Sequence, residues 1–184
     1  MPMVIHTREM TAAEFEQFAL LPSNLHRRLE LHQGRMIELV SNSRASRIAA
    51  RLLSRVDTHV SAHQLGWTTG ADGGYIIAGN RYIPDAAYMS FQRQPQPPDV
   101  AYNPVAPDLV IEVISPTDDR HQLAEKVRHY QDAGVVVWLA DPDVPSITVY
   151  TPGQPEQTFG LADTLSGGIL LPDFAVPLRD VFSP

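Results

Sequence analysis

Apolar residues recur with period two in some stretches of the chain and step by three or four in others, and these two rhythms divide it into elements. RLELHQGRMIELV alternates around Gln33-Gly34 and predicts a β-hairpin over about 28 to 40. In SNSRASRIAARLLSRVDTHVSAHQLG, Ile48, Leu52, Val56 and Val60 step by four along one side, which predicts a helix over about 43 to 64, closed by Gly66. TAAEFEQFAL opens on Thr11 with Glu14 three positions later, a capping box for a short helix carrying Phe15, Phe18 and Ala19, which LPSN ends. YIIAGNRYIPDAAYMS predicts two strands joined at Gly79-Asn80, with Asp85 in the second. QRQPQPPDVAYNPVAP is a proline-rich loop with no usable period.

The C-terminal half reads differently. DLVIEVIS, 108 to 115, has the unbroken β-branched run of a central strand buried on both faces. DDRHQLAEKVRHYQDAG predicts a helix over 118 to 133, with Asp118 or Asp119 near its start and Gly134 past its end. VVVWLADP, 135 to 142, is a second buried strand, ITVYTP and EQTFGL are outer antiparallel strands, and LLPDFAVPLRDVF is a short coda. The helix then crosses between strands 108–115 and 135–141 as a βαβ unit, which makes those strands parallel neighbours. The expected architecture is a mixed α/β (α+β) fold, one domain over residues 1–184 with its core over about 28–150.

Composition narrows the function classes. A chain of 184 residues with 43% hydrophobic and 19% charged content suits one soluble globular domain. The formal charge of −7 does not attract polyphosphate without specificity, which counts against a simple nucleic-acid binder. It leaves room for an enzyme whose clustered carboxylates hold a cation. With no cysteine there are no disulfides, thiolate zinc sites or cysteine nucleophile, in agreement with a cytoplasmic location. No apolar run approaches the ~18–20 residues that cross a bilayer, and MPMVIHTREM lacks the pattern of a secretory leader.

Three ionisable residues stand out. Glu112 sits mid-strand among apolar neighbours, sharing a face with Val110 and Ile114, and an ionised carboxylate there needs compensation. Asp85 follows Pro84 inside another apolar segment. If the two segments are adjacent, the acids form a pair whose hard oxygens suit Mg²⁺ or Mn²⁺. Lys126 is the single lysine among 14 basic residues, and it lies near a helical stripe with Asp119, Leu123 and Tyr130, at the edge of the sheet-facing side. An ammonium can serve there as a point charge or a proton-transfer group, as arginine cannot. Plainer readings stand beside these: a structural ion pair for Glu112, a turn or bulge for Asp85, and a snorkelling side chain in an arginine-rich sequence for Lys126. The stripe Arg44, Arg47, Arg51 and Arg55 could track a phosphate backbone or form a solvated face. His59 and His63 have metal-pair spacing but no acidic partner in context, and packing or surface roles suit them better.

The order of these pieces resembles the Uma2 (DUF820) family, restriction-endonuclease-like proteins of the PD-(D/E)xK superfamily. The resemblance rests on a strand with Pro-Asp, a proline-rich loop, PDLVIEVISPT, a helix with AEKVRHY and a strand VVWLADP, and it runs from RLELHQGRMIEL nearly to the last residue. It implies a restriction-endonuclease-like mixed β-sheet flanked by helices, with an N-terminal hairpin and terminal antiparallel strands. It makes Asp85 the acid of the Pro-Asp half and Glu112 the acid of the D/E-x-K half. Ile114 stands where the wider superfamily has lysine, and Lys126 matches the lysine that the family supplies from the following helix. Glu30 matches a glutamate the family shows in YEL, with Arg28-Leu29 at the tyrosine position, and Ala45 stands where members often carry histidine.

The resemblance implies Mg²⁺- or Mn²⁺-assisted hydrolysis of phosphodiester bonds in DNA. Asp85, Glu112 and the Val113 backbone carbonyl would hold the metal, Lys126 would orient water or stabilise charge, and Glu30 would complete the metal shell. It also makes a homodimer reasonable. The alternative is a catalytically silent binding or assembly protein that keeps the nuclease fold; a β-rich small-ligand module finds no support at residue level. Two expectations follow: the tips of Asp85, Glu112 and Lys126 converge within about 4 to 8 Å of one point, and Lys126→Met abolishes Mg²⁺-dependent cleavage with the fold intact.

Overall fold

A computed structural model describes residues 9–116 and 118–183 and the backbone of Met3–Val4. Most of the N-terminal stretch read above for a leader lies outside the described residues. In chain order the elements are β1 (Met3–Val4), α1 (Ala12–Ala19), β2 (Leu29–His32), β3 (Arg35–Glu38), α2 (Ser43–Ala62), β4 (Gly66–Thr69), β5 (Gly74–Ile77), β6 (Asn80–Tyr82) and β7 (Ala86–Ser90). There follow β8 (Tyr102–Asn103), β9 (Leu109–Val113), α3 (Arg120–Asp132), β10 (Val136–Asp141), β11 (Ser146–Tyr150), β12 (Gln157–Gly160), β13 (Thr164–Ser166), β14 (Ala175–Pro177) and α4 (Leu178–Phe182).

Two mixed sheets carry the fold. One runs β1-β3-β2-β6-β5-β8, the other β12-β11-β10-β9-β7-β4, and β13 pairs with β14 apart from both. All of β9 is buried. It lies parallel to β10, with α3 as the crossover, as the apolar runs predicted, and antiparallel to β7. Its side chains alternate as a pleat requires. Leu109, Ile111 and Val113 pack with Ile48, Leu52, Val56 and Val60 of α2, whereas Val110 packs with Val127 and Tyr130 of α3. On the first sheet, Phe15 and Ala19 of α1 cover Leu29, Leu31 and Met36. Thr11 and Glu14 form the expected capping box, and Asp119 caps α3 by accepting from His121 N and Gln122 N. Among the described residues no helix is long and apolar enough to cross a membrane.

Three local readings need correction. The hairpin turn after β5 is Ala78-Gly79, both left-handed with φ of 48° and 79°, and Asn80 already belongs to β6. The stretch 75–90 forms three strands, and Asp85 lies in none of them: Ile83-Pro84-Asp85 is the link by which the chain leaves the first sheet at β6 and enters the second at β7. Proline, which cannot donate to a ladder, marks that break. Gly66 does not close α2 either. The helix ends at the cap residue His63, Gln64 takes the left-handed turn with φ of 52°, and Gly66 opens β4 against β7.

Gly66 has a packing reason to be glycine, since a Cβ there would stand 2.0 Å from the Met89 carbonyl oxygen. Gly66→Ala is therefore expected to cost about 1–3 kcal/mol, the usual penalty of overpacking. Urea titration checks it: the midpoint should fall while the slope stays constant.

Candidate active site

The break between the two sheets creates a cleft. Where the chain crosses at Ile83-Pro84-Asp85, backbone amides lose their ladder acceptors, and carboxylates replace them. Glu30 of β2 accepts the Ile83 N–H at 2.5 Å, and Asp85 accepts the Val113 N–H at 2.9 Å. These acids are thus fixed by the same discontinuity that opens the cleft. Within an extended strand a residue's N–H and C=O point to one edge, so the Val113 carbonyl lies on the Asp85 side of β9.

Lys126 enters from α3, buried at 5% exposure between two buried acids. Its Nζ is 2.9 Å from Glu30 Oε1 and 2.8 Å from Glu112 Oε1. Tyr130, one turn on, donates to the same Glu112 oxygen at 2.9 Å. The Glu112 tip therefore has one oxygen engaged by an ammonium and a phenol, and the other without a protein partner among the described residues. His32 Nε2 holds the second oxygen of Glu30 at 2.6 Å. Arg28 Nη2 approaches Asp85 Oδ1 at 3.6 Å, while its Nε is buried without a hydrogen bond among the described residues. Asp85, Glu112, Lys126 and Glu30 all line one cleft of about 80 Å³, with Arg28, His32 and Asp118 at its walls.

The two glutamates that share Lys126 titrate in opposite directions. Burial pushes Glu30 up, but Lys126 and His32 outweigh it and bring the carboxyl down to about 2. Burial pushes Glu112 up to about 7, Lys126 offsets only part of this, and the charges of Asp85 and Glu30 add to the rise. Burial also raises Asp85, against the Val113 N–H, Lys126 and Arg28. Burial lowers Lys126, yet the two carboxylates outweigh it and raise it above an ordinary lysine, so it stays an ammonium. Glu30 and Lys126 balance each other. Arg28 offsets part of the charge of Asp85, yet burial leaves the ionised forms of Asp85 and Glu112 costly in the protein alone.

That charge balance and donor set fit a hard divalent cation: two carboxylates and a strand-edge carbonyl, with room for the waters that Mg²⁺ retains. Among the described residues no three histidines or carboxylates come together as a metal cage. Of the other candidates, Arg44 hydrogen-bonds the Pro142 carbonyl and pairs with Asp143 at 3.0 Å, while Arg47 and Arg51 hydrogen-bond the Ser183 carbonyl. These contacts tie α2 to the β10–β11 turn and to the residue after α4, a structural task; Arg55 is exposed. His59 hydrogen-bonds the Pro172 carbonyl and meets the Phe174 ring edge-on at 5.4 Å, as a packing histidine does.

Sequence reasoning passed over His32, Tyr130 and Arg28 as members of this site. Two were legible in principle: Glu30 and His32 are two apart on a strand and Lys126 and Tyr130 four apart on a helix, so each pair shares a face.

Two mixed sheets joined at a Pro-Asp link, with a lysine-bearing crossover helix, define a restriction-endonuclease-like fold. A solved structure described as "a putative nuclease belonging to DUF820 from Anabaena variabilis ATCC 29413" superposes with a TM-score of 0.82 at 21% identity, covering 95% of this chain and 98% of that one. The chain belongs to the Uma2 family, described as "Putative restriction endonuclease", whose model matches residues 13–179. No curated protein matches it.

Proposed function

We propose that the protein is a divalent-metal-dependent nuclease that hydrolyses phosphodiester bonds of DNA. The observation that carries this reading is the Lys126 ammonium, held between Glu30 and Glu112 in the cleft that also contains Asp85. A buried ion pair serving stability alone would need one acid; here Lys126 and Arg28 face three, Glu30, Glu112 and Asp85, which leaves one carboxylate in excess.

Asp85, Glu112 and the Val113 carbonyl would hold Mg²⁺ or Mn²⁺. When bound, such an ion makes a coordinated water more acidic and neutralises charge on phosphoryl oxygens. Tyr130 and Lys126 fix one Glu112 oxygen, which turns the other toward the cleft. Two of the three Lys126 donors are committed to carboxylates, which leaves the third for a water or a phosphate oxygen. Because Lys126 stays charged, its role is electrostatic rather than that of a base. Glu30, with both oxygens already engaged, acts by positioning Lys126 rather than as an outer metal ligand. A homodimer would let two such clefts address both strands of a duplex.

Asp85→Asn tests the reading with little structural disturbance, since the amide oxygen can still accept the Val113 N–H. Cleavage of DNA should fall by more than about 100-fold, beyond the usual loss for an outer-shell change, while the metal-free melting temperature should not fall. Retained cleavage would remove Asp85 from the chemistry. The alternative, a silent binding protein on this scaffold, draws on Ile114 and the net charge of −7. It requires that Mg²⁺ leave the melting temperature of the wild-type protein unchanged.

A further inference from the structure

A second cavity, of about 280 Å³, adjoins the cleft and shares His32, Ile37 and Gln122 with it as wall residues. The cleft itself, at about 80 Å³, has the scale of an ion, its waters and a phosphate oxygen. The second cavity comes close to the lower bound of about 300 Å³ for small-molecule pockets. A strand whose phosphate enters the cleft therefore finds beside it a space of the size a base needs.

The walls carry groups that suit a base. Asn80 Oδ1 accepts the Gln33 N–H at 2.7 Å, which fixes its amide; Nδ2 donates to the Ala78 and Ile77 carbonyls at 3.2 and 3.3 Å and lies 3.4 Å from His129 Nδ1. Tyr82, whose hydroxyl burial raises and keeps protonated, is 2.7 Å from the same Nδ1. Both groups lie against Nδ1, so the other ring nitrogen of His129, Nε2, is left without a protein partner among the described residues. His32 Nε2 is taken up by Glu30 at 2.6 Å, and its Nδ1 is also unpartnered among the described residues. Tyr82 joins these two rings, with His32 edge-on at 4.7 Å and His129 stacked at 6.1 Å. Half-buried Glu125 shares the wall with Glu9, Arg35 and His121, so charges of both signs line it, and Glu125 can accept from an exocyclic amine. Two unpartnered ring nitrogens, on imidazole rings that line the cavity over buried Tyr82, match the edge and face of a nucleobase.

We propose that this cavity is a nucleobase subsite, receiving the base of a nucleotide that flanks the scissile phosphate and giving the protein a base preference at one position. The inference rests on the nuclease reading for where the phosphate lies. It is tested on the full chain labelled with ¹⁵N-histidine, titrated with each of the four deoxynucleoside 5′-monophosphates and, separately, with deoxyribose 5-phosphate. At least one nucleotide should shift the His129 and His32 ring nitrogens saturably, at least tenfold more tightly than the sugar phosphate. His129→Phe and, at the cavity edge, Gln122→Ala should each weaken that nucleotide at least fivefold. Equal response to the sugar phosphate, or no response of the two rings to any nucleotide, overturns the proposal. A protein that answers to the base yet cuts no nucleic acid keeps the subsite and loses the nuclease reading. One that cuts with Mg²⁺ while both rings stay silent loses the subsite alone.

Discussion

Lys126→Met should eliminate cleavage and also cost the fold about 3–5 kcal/mol, the usual penalty for leaving buried charge without its partner. Methionine fills the volume of the lysine stem, but Glu30 and Glu112 would then face each other at 1% and 7% exposure without the ammonium that bridges them. This revises the expectation that the variant leaves the fold intact. The two effects separate in the double variant Lys126→Met with Glu30→Gln. Removing the Glu30 charge relieves the repulsion, while the amide oxygen introduced at that position can still accept the Ile83 N–H. The double variant should regain a large part of the lost stability, read as the urea midpoint, and none of the cleavage. If it regains cleavage as well, Lys126 acts only by supporting the structure.

The second large effect is in pH. Glu112 is raised to about 7, so a proton competes with a divalent cation for it over the range in which its unfolded counterpart is already ionised. Mg²⁺ affinity should therefore fall about tenfold per unit below pH 7, reaching about 100-fold weaker at pH 5 than at pH 8. Calorimetric titration at the two pH values checks this, with proton release on binding at the lower one. In the metal-free protein the sign for folding is the reverse of the usual carboxylate case. A raised acid contributes stability that is present below its unfolded value of 4.5 and lost as pH rises through about 7. Glu30, lowered to about 2, contributes stability that is present above 4.5 and lost as pH falls through about 2. Mg²⁺ should thus stabilise most above pH 7, where the bare site is least stable. An affinity flat between pH 5 and pH 8 would place the cation elsewhere.

The helices and the central strands were legible because their signals are local. Ile48, Leu52, Val56 and Val60 report one face of α2 whatever lies opposite, and the unbroken β-branched run of β9 is that expected of a strand covered on both sides. Asp85, Glu112 and Lys126 could be picked out as chemically misplaced, since charge among apolar residues calls for a partner. Their common cleft could not be derived from spacing, because it depends on the chain changing sheets at Ile83-Pro84-Asp85. That crossover is a property of two sheets together. It also explains why the stretch from Tyr75 to Ser90 reads as two strands: Pro84 breaks the ladder without breaking the apolar pattern. The arginine stripe shows the opposite limit. Its helical spacing was plain, yet its carbonyl partners at Pro142 and Ser183 are far away in sequence.

The most direct measurement is melting of the purified protein at pH 8 with and without Mg²⁺, in the wild type and in Glu112→Gln, beside cleavage of DNA under the same conditions. At a hundred times its dissociation constant Mg²⁺ should stabilise the wild type by about 2.7 kcal/mol, a rise of roughly 5–11 °C for a chain of this size, and DNA should be cut. Glu112→Gln should show neither effect. A wild type that melts at the same temperature with and without Mg²⁺, and leaves DNA whole, would contradict a metal-assisted nuclease in this cleft.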